Sequence, residues 1–289
     1  MKLIFFGTSS AIPAIGNGYT SFLIAIDHYR ILIDTGDNPV KALLECGEDP
    51  KTLDAVVLTH THIDHLGAFP SLISALDCMK REKPLKIIAN RDTQEAADKL
   101  LRHFPLDPTS LSYSLEYGET FPCERTGETT KVGTRTHNGF SLSLLPGKHA
   151  VPTSMVQILY HRMPESEGKT EKRRGSLESL YSDRPLRFLY TSDYHHGMEV
   201  TSPAGEVDVL IHEATYPHKG LPSLTSHSSA QQAGQAARKS GSRVLFLCHF
   251  EVSAYLNGIE EAAEEATKEF NGSVIVPNLY QWYTIPDFP

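Results

Sequence analysis

Apolar residues in this chain come in short, dense runs divided by turn formers. KLIFF (2–6), TSFLIAI (20–26) and RILID (30–34) predict strands. DNPVKALLEC predicts a short helix after Asp37, and TLDAVVL a buried strand. In GAFPSLISALDCMKR the spacing of Leu72, Ile73, Leu76 and Met79 predicts a helix. KIIAN reads as a strand, and DTQEAADKLLRHF as a helix with Asp92 as its N-cap. Residues 108–160 are strand-like and rich in turns, ending in TSMVQILYH. LRFLYTSD, VDVLIHEAT and SRVLFLCHF predict three more strands. SSAQQAGQAARKSG and LNGIEEAAEEATKEF predict helices among them, and SVIVP and YQWYTI close the chain as strands. A polar, charged excursion at 162–184 interrupts the pattern and reads as an exposed loop. Its K-T-E-K-R-R run is a solvated stretch or a local phosphate-contacting patch. No linker or short repeat divides the sequence, so a single domain over 1–289 is expected.

The chemistry gathers where these runs end. AVVLT leads into His60, His62, Asp64 and His65 within six positions, at a predicted strand-to-helix junction. His149 follows SLSLLPGK, Asp193 follows LRFLYTS and His249 follows SRVLFLC. Sites in α/β folds gather at the carboxyl ends of strands. If these strands share one sandwich, five histidines and two aspartates surround a small volume. Imidazole with carboxylate suits zinc, manganese or iron. Seven ligands exceed one tetrahedral ion and suit two ions sharing a carboxylate. A lone histidine is ordinarily a satisfied core or surface residue, and His28, His103, His137 and His161, without a neighbouring ligand pattern, are read so. Tyr194, His195 and His196 lie close to Asp193 in sequence, near the expected mouth, without an assigned role. GTSSAIPAIGNGYTS is either a backbone-lined rim, with Gly16 and Gly18 allowing close approach, or a plain turn.

Composition changes this picture little. The formal net charge of −8 argues against a broadly basic nucleic-acid-binding face, without excluding a metal site that meets phosphate directly. Cys46, Cys78, Cys123 and Cys248 are widely spaced, with no CxxC pair. They read as reduced thiols rather than structural zinc ligands. No run approaches the roughly 20 apolar residues of a membrane span. The N-terminal LIFF falls short of the 7–15 residues usual in a signal-peptide core. A cytoplasmic protein is expected.

The H-x-H-x-D-H hallmark, with FFGTSSAIP, ILIDTGDN (including Asp34) and His249, resembles the metallo-β-lactamase superfamily over nearly the whole chain. The resemblance implies an α/β fold, a four-layer αββα sandwich with metals at one edge of its two sheets. It implies a first metal held by His60, His62 and His149, a second by Asp64, His65 and His249, and Asp193 bridging them. Two divalent ions are expected, zinc favoured and manganese or iron alternatives. Alone, Glu213 reads as a surface residue and His227 as a helix-start residue beside a capping Ser226 or Ser228. In DVLIHEATYPH and SHSSAQQAGQAA, however, they resemble the ribonuclease Z (3′-tRNase) branch, in which such a pair serves the leaving group. Two stretches differ from that branch: HFEVSAY stands where H-F-S-x-R-Y is common, and Gly36-Asp37 where G-E is usual. The tRNA-gripping arm would fall between His149 and Asp193, 193 − 149 = 44 positions, which contain no Gly/Pro/Lys-rich arm sequence.

The implied function is a dinuclear metal-dependent phosphodiesterase acting on RNA or a small or cyclic phosphodiester, with His227 as proton donor, Glu213 orienting it and Asp64 also orienting the attacking water. A homodimer is implied by the resemblance alone, and no membrane partner is expected. Competing readings are a glyoxalase II-like thioesterase or lactonase on the same metals, which needs no leaving-group acid, and a non-catalytic metal-stabilised binding protein.

Overall fold

The computed structural model describes residues 1–118, 134–135, 139–161, 184–195, 200, 202, 205–223 and 225–285. His137, His196, Cys123 and, apart from Arg184, the polar excursion at 162–184 lie outside them. The chain first builds β1 (Lys2–Ser9), β2 (Gly18–Tyr19), β3 (Ser21–Ile26), β4 (Tyr29–Ile33), α1 (Pro39–Glu45) and β5 (Ala55–Leu58). It continues with α2 (Ile63–Leu66), α3 (Phe69–Cys78), β6 (Leu85–Ala89), α4 (Arg91–His103) and β7 (Leu115–Tyr117). Next come β8 (Thr134–Arg135), β9 (Phe140–Pro146), β10 (Ser154–Tyr160), β11 (Leu186–Tyr190) and β12 (Val209–Glu213). The last elements are α5 (Ala230–Lys239), β13 (Val244–Cys248), α6 (Glu261–Thr267), β14 (Ser273–Ile275) and β15 (Trp282–Thr284).

Two sheets result. One runs β15-β1-β3-β4-β5-β6-β7 with β2 beside β1, and the other β14-β13-β12-β11-β10-β9-β8. Strands β4 to β7 are parallel, as are β11 to β14. Because successive strand side chains point to opposite faces, each apolar run serves two cores. Phe5, Phe22, Val57, Val156, Phe188 and Phe246 pack between the sheets. Ile4, Leu23 and Val56 face the other way, against Leu72, Ile73 and Leu76 of α3 and Leu101 of α4. Leu210 and Leu245 face Ala233, Ala237, Ala262 and Ala266 of α5 and α6. The layers are therefore helix, sheet, sheet, helix, and burial on both faces explains why these strands read as unbroken apolar runs rather than alternations. At Gly234 a Cβ would lie 2.4 Å from the Ala266 carbonyl, so glycine is what lets α5 and α6 approach.

The helix boundaries show where local reasoning errs. The N-cap of α4 is Asn90, not Asp92: Asn90 Oδ1 accepts from the Thr93 amide at 2.9 Å, and Asp92 lies inside the first turn. Asn90 is 4 % exposed, and its amide also donates to Ser154 Oγ at 3.0 Å and the Thr59 carbonyl at 3.3 Å, tying the helix to both sheets. The cap of α5 is Ser229, not Ser226 or Ser228, and Ser229 and Gln232 form a reciprocal capping box. The last helix is confined to Glu261–Thr267, shorter than its apolar spacing suggested. Among the described residues no helix is long and apolar enough to cross a membrane.

Asn90→Ala removes a cap and two bonds between layers. It is expected to lower unfolding free energy by about 1–3 kcal/mol, read from urea denaturation.

Candidate metal centre

The site lies where strands of both sheets end. From the first sheet, β5 stops at Leu58 and the chain turns through Thr59 and His60 into the single turn of α2, which carries Asp64 and His65. His62 occupies the N-cap position of α2 without making a capping bond, so its ring is free to face the site. From the second sheet come His149 after β9, Asp193 after β11 and His249 directly after β13. Asp34 (φ 57°), Ser192 (φ 55°) and His249 (φ 59°) all adopt left-handed backbone just past a strand. Non-glycine residues there are strained and concentrate at functional sites. Gly36 lets the backbone press against α2, since a Cβ on it would stand 1.6 Å from the Asp64 carbonyl. Thr35 N–H donates to the His65 carbonyl at 2.7 Å, and Ala68 N–H to the Thr35 carbonyl at 2.7 Å, locking that turn in place.

The structure brings all seven sequence-predicted metal residues together. His60, His62, His149 and Asp193 offer atoms within 4.8 Å of one another, as do Asp64, His65 and His249. Asp193 stands between the sets. Its Oδ2 is 3.5 Å from Nε2 of both His60 and His149, and its Oδ1 is 3.3 Å from His65 Nε2 and 3.2 Å from His249 Nε2. Asp64 Oδ2 lies 3.5 Å from His65 Nε2 and 3.4 Å from His249 Nε2.

The side facing away from this centre fixes the tautomers. His65 Nδ1–H donates to Asp34 Oδ2 at 2.8 Å, which turns Nε2 toward the site. Thr59 donates its hydroxyl to Asp34 at 2.9 Å and its amide to the same carboxylate at 2.8 Å. With that hydrogen committed, Thr59 Oγ1 accepts from His60 Nδ1–H at 3.0 Å, and His60 Nε2 also turns a lone pair inward. His149 Nδ1–H donates to the Ser226 carbonyl at 3.2 Å, and His249 Nδ1–H to Thr215 Oγ1 at 2.9 Å. Metal-bound imidazoles are ordinarily held in this way from behind.

The donor set fits metal ions. His62 Nδ1 lies 3.1 Å from His60 Nε2 and 3.2 Å from His149 Nε2, so three ring nitrogens converge on one point. His65 Nε2 and both carboxylate oxygens of Asp193 are buried without a hydrogen-bond partner. Among the described residues, the ion pairs of Asp64 and Asp193 are to histidines alone. A buried carboxylate with no hydrogen-bond donor is costly unless a cation compensates it.

Electrostatics agree. Burial pushes His60 well below the ordinary imidazole range, reinforced by His65 beside it, and burial likewise lowers His62 and His149. These rings are therefore neutral, the form that binds metal. Burial opposes ionisation of Asp193, yet His249, His65 and His60 hold it well below the carboxylate range. Burial raises Asp34, offset only in part by His65 and Thr59, while Asp193 and Asp34 raise His65 against its own burial.

A second buried carboxylate stands behind the opposite wall. Glu213, the last residue of β12, is fully buried. Its Oε2 accepts from His227 Nδ1–H and the Ser228 amide, each at 3.1 Å, and from the Thr215 hydroxyl, while Oε1 accepts from the Tyr194 amide. The His227 ring stacks on His249 with centroids 5.2 Å apart, lies 4.9 Å from that of His149, and has a side chain 21 % exposed. Its Nδ1 lies 4.0 Å from Asp193, but that atom is committed as a donor to Glu213, which removes it as a metal ligand. Burial works to lower the His227 imidazolium, but Glu213 outweighs it and, with Asp193 and Asp64, lifts it to about 9.

Sequence reasoning did not assign Thr59, Ser192 or Thr215, and named Asp34 without a role. The available signal was a hydroxyl beside each ligand motif, in T-H-T-H, T-S-D and E-A-T. Glu251, where the sequence departs from H-F-S-x-R-Y, accepts from Ser253 Oγ at 2.6 Å and Ser10 Oγ at 3.3 Å. His195 stays outside the cluster, its amide donating to the Lys148 carbonyl at 2.7 Å. His28, His103 and His161 also stand apart from it.

Comparison with known proteins agrees with this fold. A ribonuclease Z of Haloarcula marismortui is 25 % identical over 297 residues, covering 96 % of this chain and 94 % of the relative. The human short-form tRNase Z superposes with TM-score 0.72 at 17 % identity over 99 % of this chain and 100 % of that one. The metallo-β-lactamase-fold protein YhfI of Bacillus subtilis superposes with TM-score 0.71 at 20 % identity, covering 98 % and 99 %. These place the chain in the metallo-β-lactamase fold, with ribonuclease Z proteins among its relatives. The family model described as "Anti-Pycsar protein Apyc1" matches residues 1–253, and the chain belongs to that family.

Proposed function

We propose that this chain is a dinuclear metal-dependent phosphodiesterase that hydrolyses RNA or a small or cyclic phosphodiester. The observation that carries the reading is the position of Asp193, its two unpartnered oxygens dividing two groups of inward-facing imidazoles, with a proton-donating pair beside them. His60, His62 and His149 would hold one ion, Asp64, His65 and His249 the other, and Asp193 would bridge them. Nitrogen and carboxylate donors without thiolate suit zinc, with manganese or iron as alternatives. Two such ions, when bound, lower the pKa of water and screen charge on the phosphoryl oxygens.

The protein's own groups supply the rest. Asp64 accepts a hydrogen bond from the attacking water and orients it. His227, fixed through Nδ1 by Glu213, keeps its Nε2–H for the departing ester oxygen, a contribution of roughly 10²–10⁴ in rate. A thioester or lactone needs no such donor, which favours a phosphodiester with a poor leaving group. The free thiols of Cys46, Cys78 and Cys248 suit a cytoplasmic location, which is part of the same reading. So is a homodimer, for which exposed Leu44, with Val40 and Ala75, offers a groove that a second copy would cover.

Turnover of bis(p-nitrophenyl) phosphate should vanish with a chelator and return with zinc or manganese. Turnover of a thioester or lactone but no diester would overturn the reading. Asp34→Ala leaves His65 Nδ1–H without its acceptor, and should weaken metal binding about 10–100-fold in a chelator competition titration. His227→Ala should keep its metal and lose about 10²–10⁴ in kcat on an alkyl diester, with a far smaller loss on p-nitrophenyl leaving groups. The donor works protonated, so wild-type kcat on the alkyl diester should fall as pH rises through the His227 pKa. That limb lies at or below about 9, since nearby dications favour the neutral ring, and it should be absent in His227→Ala.

A further inference from the structure

We infer that Ser192 is a positioning residue, which registers the bridging carboxylate of Asp193 in the second sheet against the histidines of the first. The inference rests on the metal-binding role proposed for Asp193. Ser192 follows β11, is 1 % exposed and adopts φ 55°. Glycine takes up that backbone without strain, whereas a serine there carries a steric cost. At Asp34 and His249, the neighbouring left-handed positions, the strained residue's own side chain belongs to the site network. Ser192 must justify its place through its hydroxyl.

That hydroxyl crosses between the sheets. Ser192 Oγ lies 2.9 Å from Thr59 Oγ1 and 3.4 Å from His60 Nδ1. Thr59 sends its hydrogen to Asp34, so Ser192 is the donor, and Thr59 Oγ1 receives both Ser192 and His60. Ser192 thereby joins the network that already sets the rings of His60 and His65. Asp193 is the next residue, and its other neighbour is fixed as well, the Tyr194 amide donating to Glu213. The bridging carboxylate is thus held on one side toward the first sheet's ligands and on the other toward the proton-donating pair. Both its oxygens lack hydrogen bonds, so these flanking anchors are what aim it.

Ser192→Gly removes the hydroxyl and the strain together, and Ser192→Ala removes the hydroxyl alone. Metal stoichiometry and affinity would be measured by chelator competition. Manganese-loaded protein would be examined by electron paramagnetic resonance for the exchange coupling of two carboxylate-bridged ions. Both variants are expected to bind the ion pair about tenfold more weakly with altered coupling, and Ser192→Gly to melt no lower than wild type. A Ser192→Gly protein with wild-type affinity and coupling would overturn the inference. Wild-type protein that takes up no metal would overturn the preceding function as well, so the two failures are distinguishable.

Discussion

The centre depends on a single buried carboxylate in the first sheet. Asp34 accepts the Nδ1 hydrogen of His65 and both the amide and hydroxyl hydrogens of Thr59, and through Thr59 it sets the ring of His60. His60 faces one oxygen of Asp193 and His65 the other, so one acceptor orients a ring on each side of that carboxylate. An ionised group this deep is costly, and three donors offset part of the penalty. The same constraint explains the left-handed backbone at residue 34. The chain must turn sharply at the end of β4 to bury that carboxylate beneath α2.

Glu213 plays the matching part in the second sheet. It reaches His249 through Thr215 and His227 directly, so the orientation of a proposed metal ligand and of the proposed proton donor share one carboxylate. Four donors converge on it, leaving little freedom for rotation. Each sheet therefore contributes a buried acid behind the imidazoles, and Asp193 lies between them.

How much was legible in the sequence follows from distance along the chain. His60, His62, Asp64 and His65 stood out because a strand end and one helical turn bring neighbours into one site, so spacing alone carries the information. The apolar runs were equally readable, since a strand covered on both faces has no polar alternation to obscure it. Capping was not. Asp92 and Asn90 are both good caps, and the choice fell to Asn90 because its amide also reaches Thr59 and Ser154 across the sheets. Ser226, Ser228 and Ser229 are equivalent in isolation, and Gln232 selects Ser229 by returning a bond to it.

The sequence by itself determined the alternating α/β order, the chemistry of the ligand set and its placement at strand ends, because these depend on residue type and local period. Only the tertiary structure decided which hydroxyl or carboxylate stands behind each ring. Asp34 meets His65 from 31 positions away, and Ser192 meets Thr59 from 133 positions away. Such partners are set by how two sheets pack face to face, and no local periodicity records that packing. The same holds for Asp193: one aspartate after one strand is unremarkable, and it becomes the centre of the cluster because four imidazoles from both sheets close around its two oxygens.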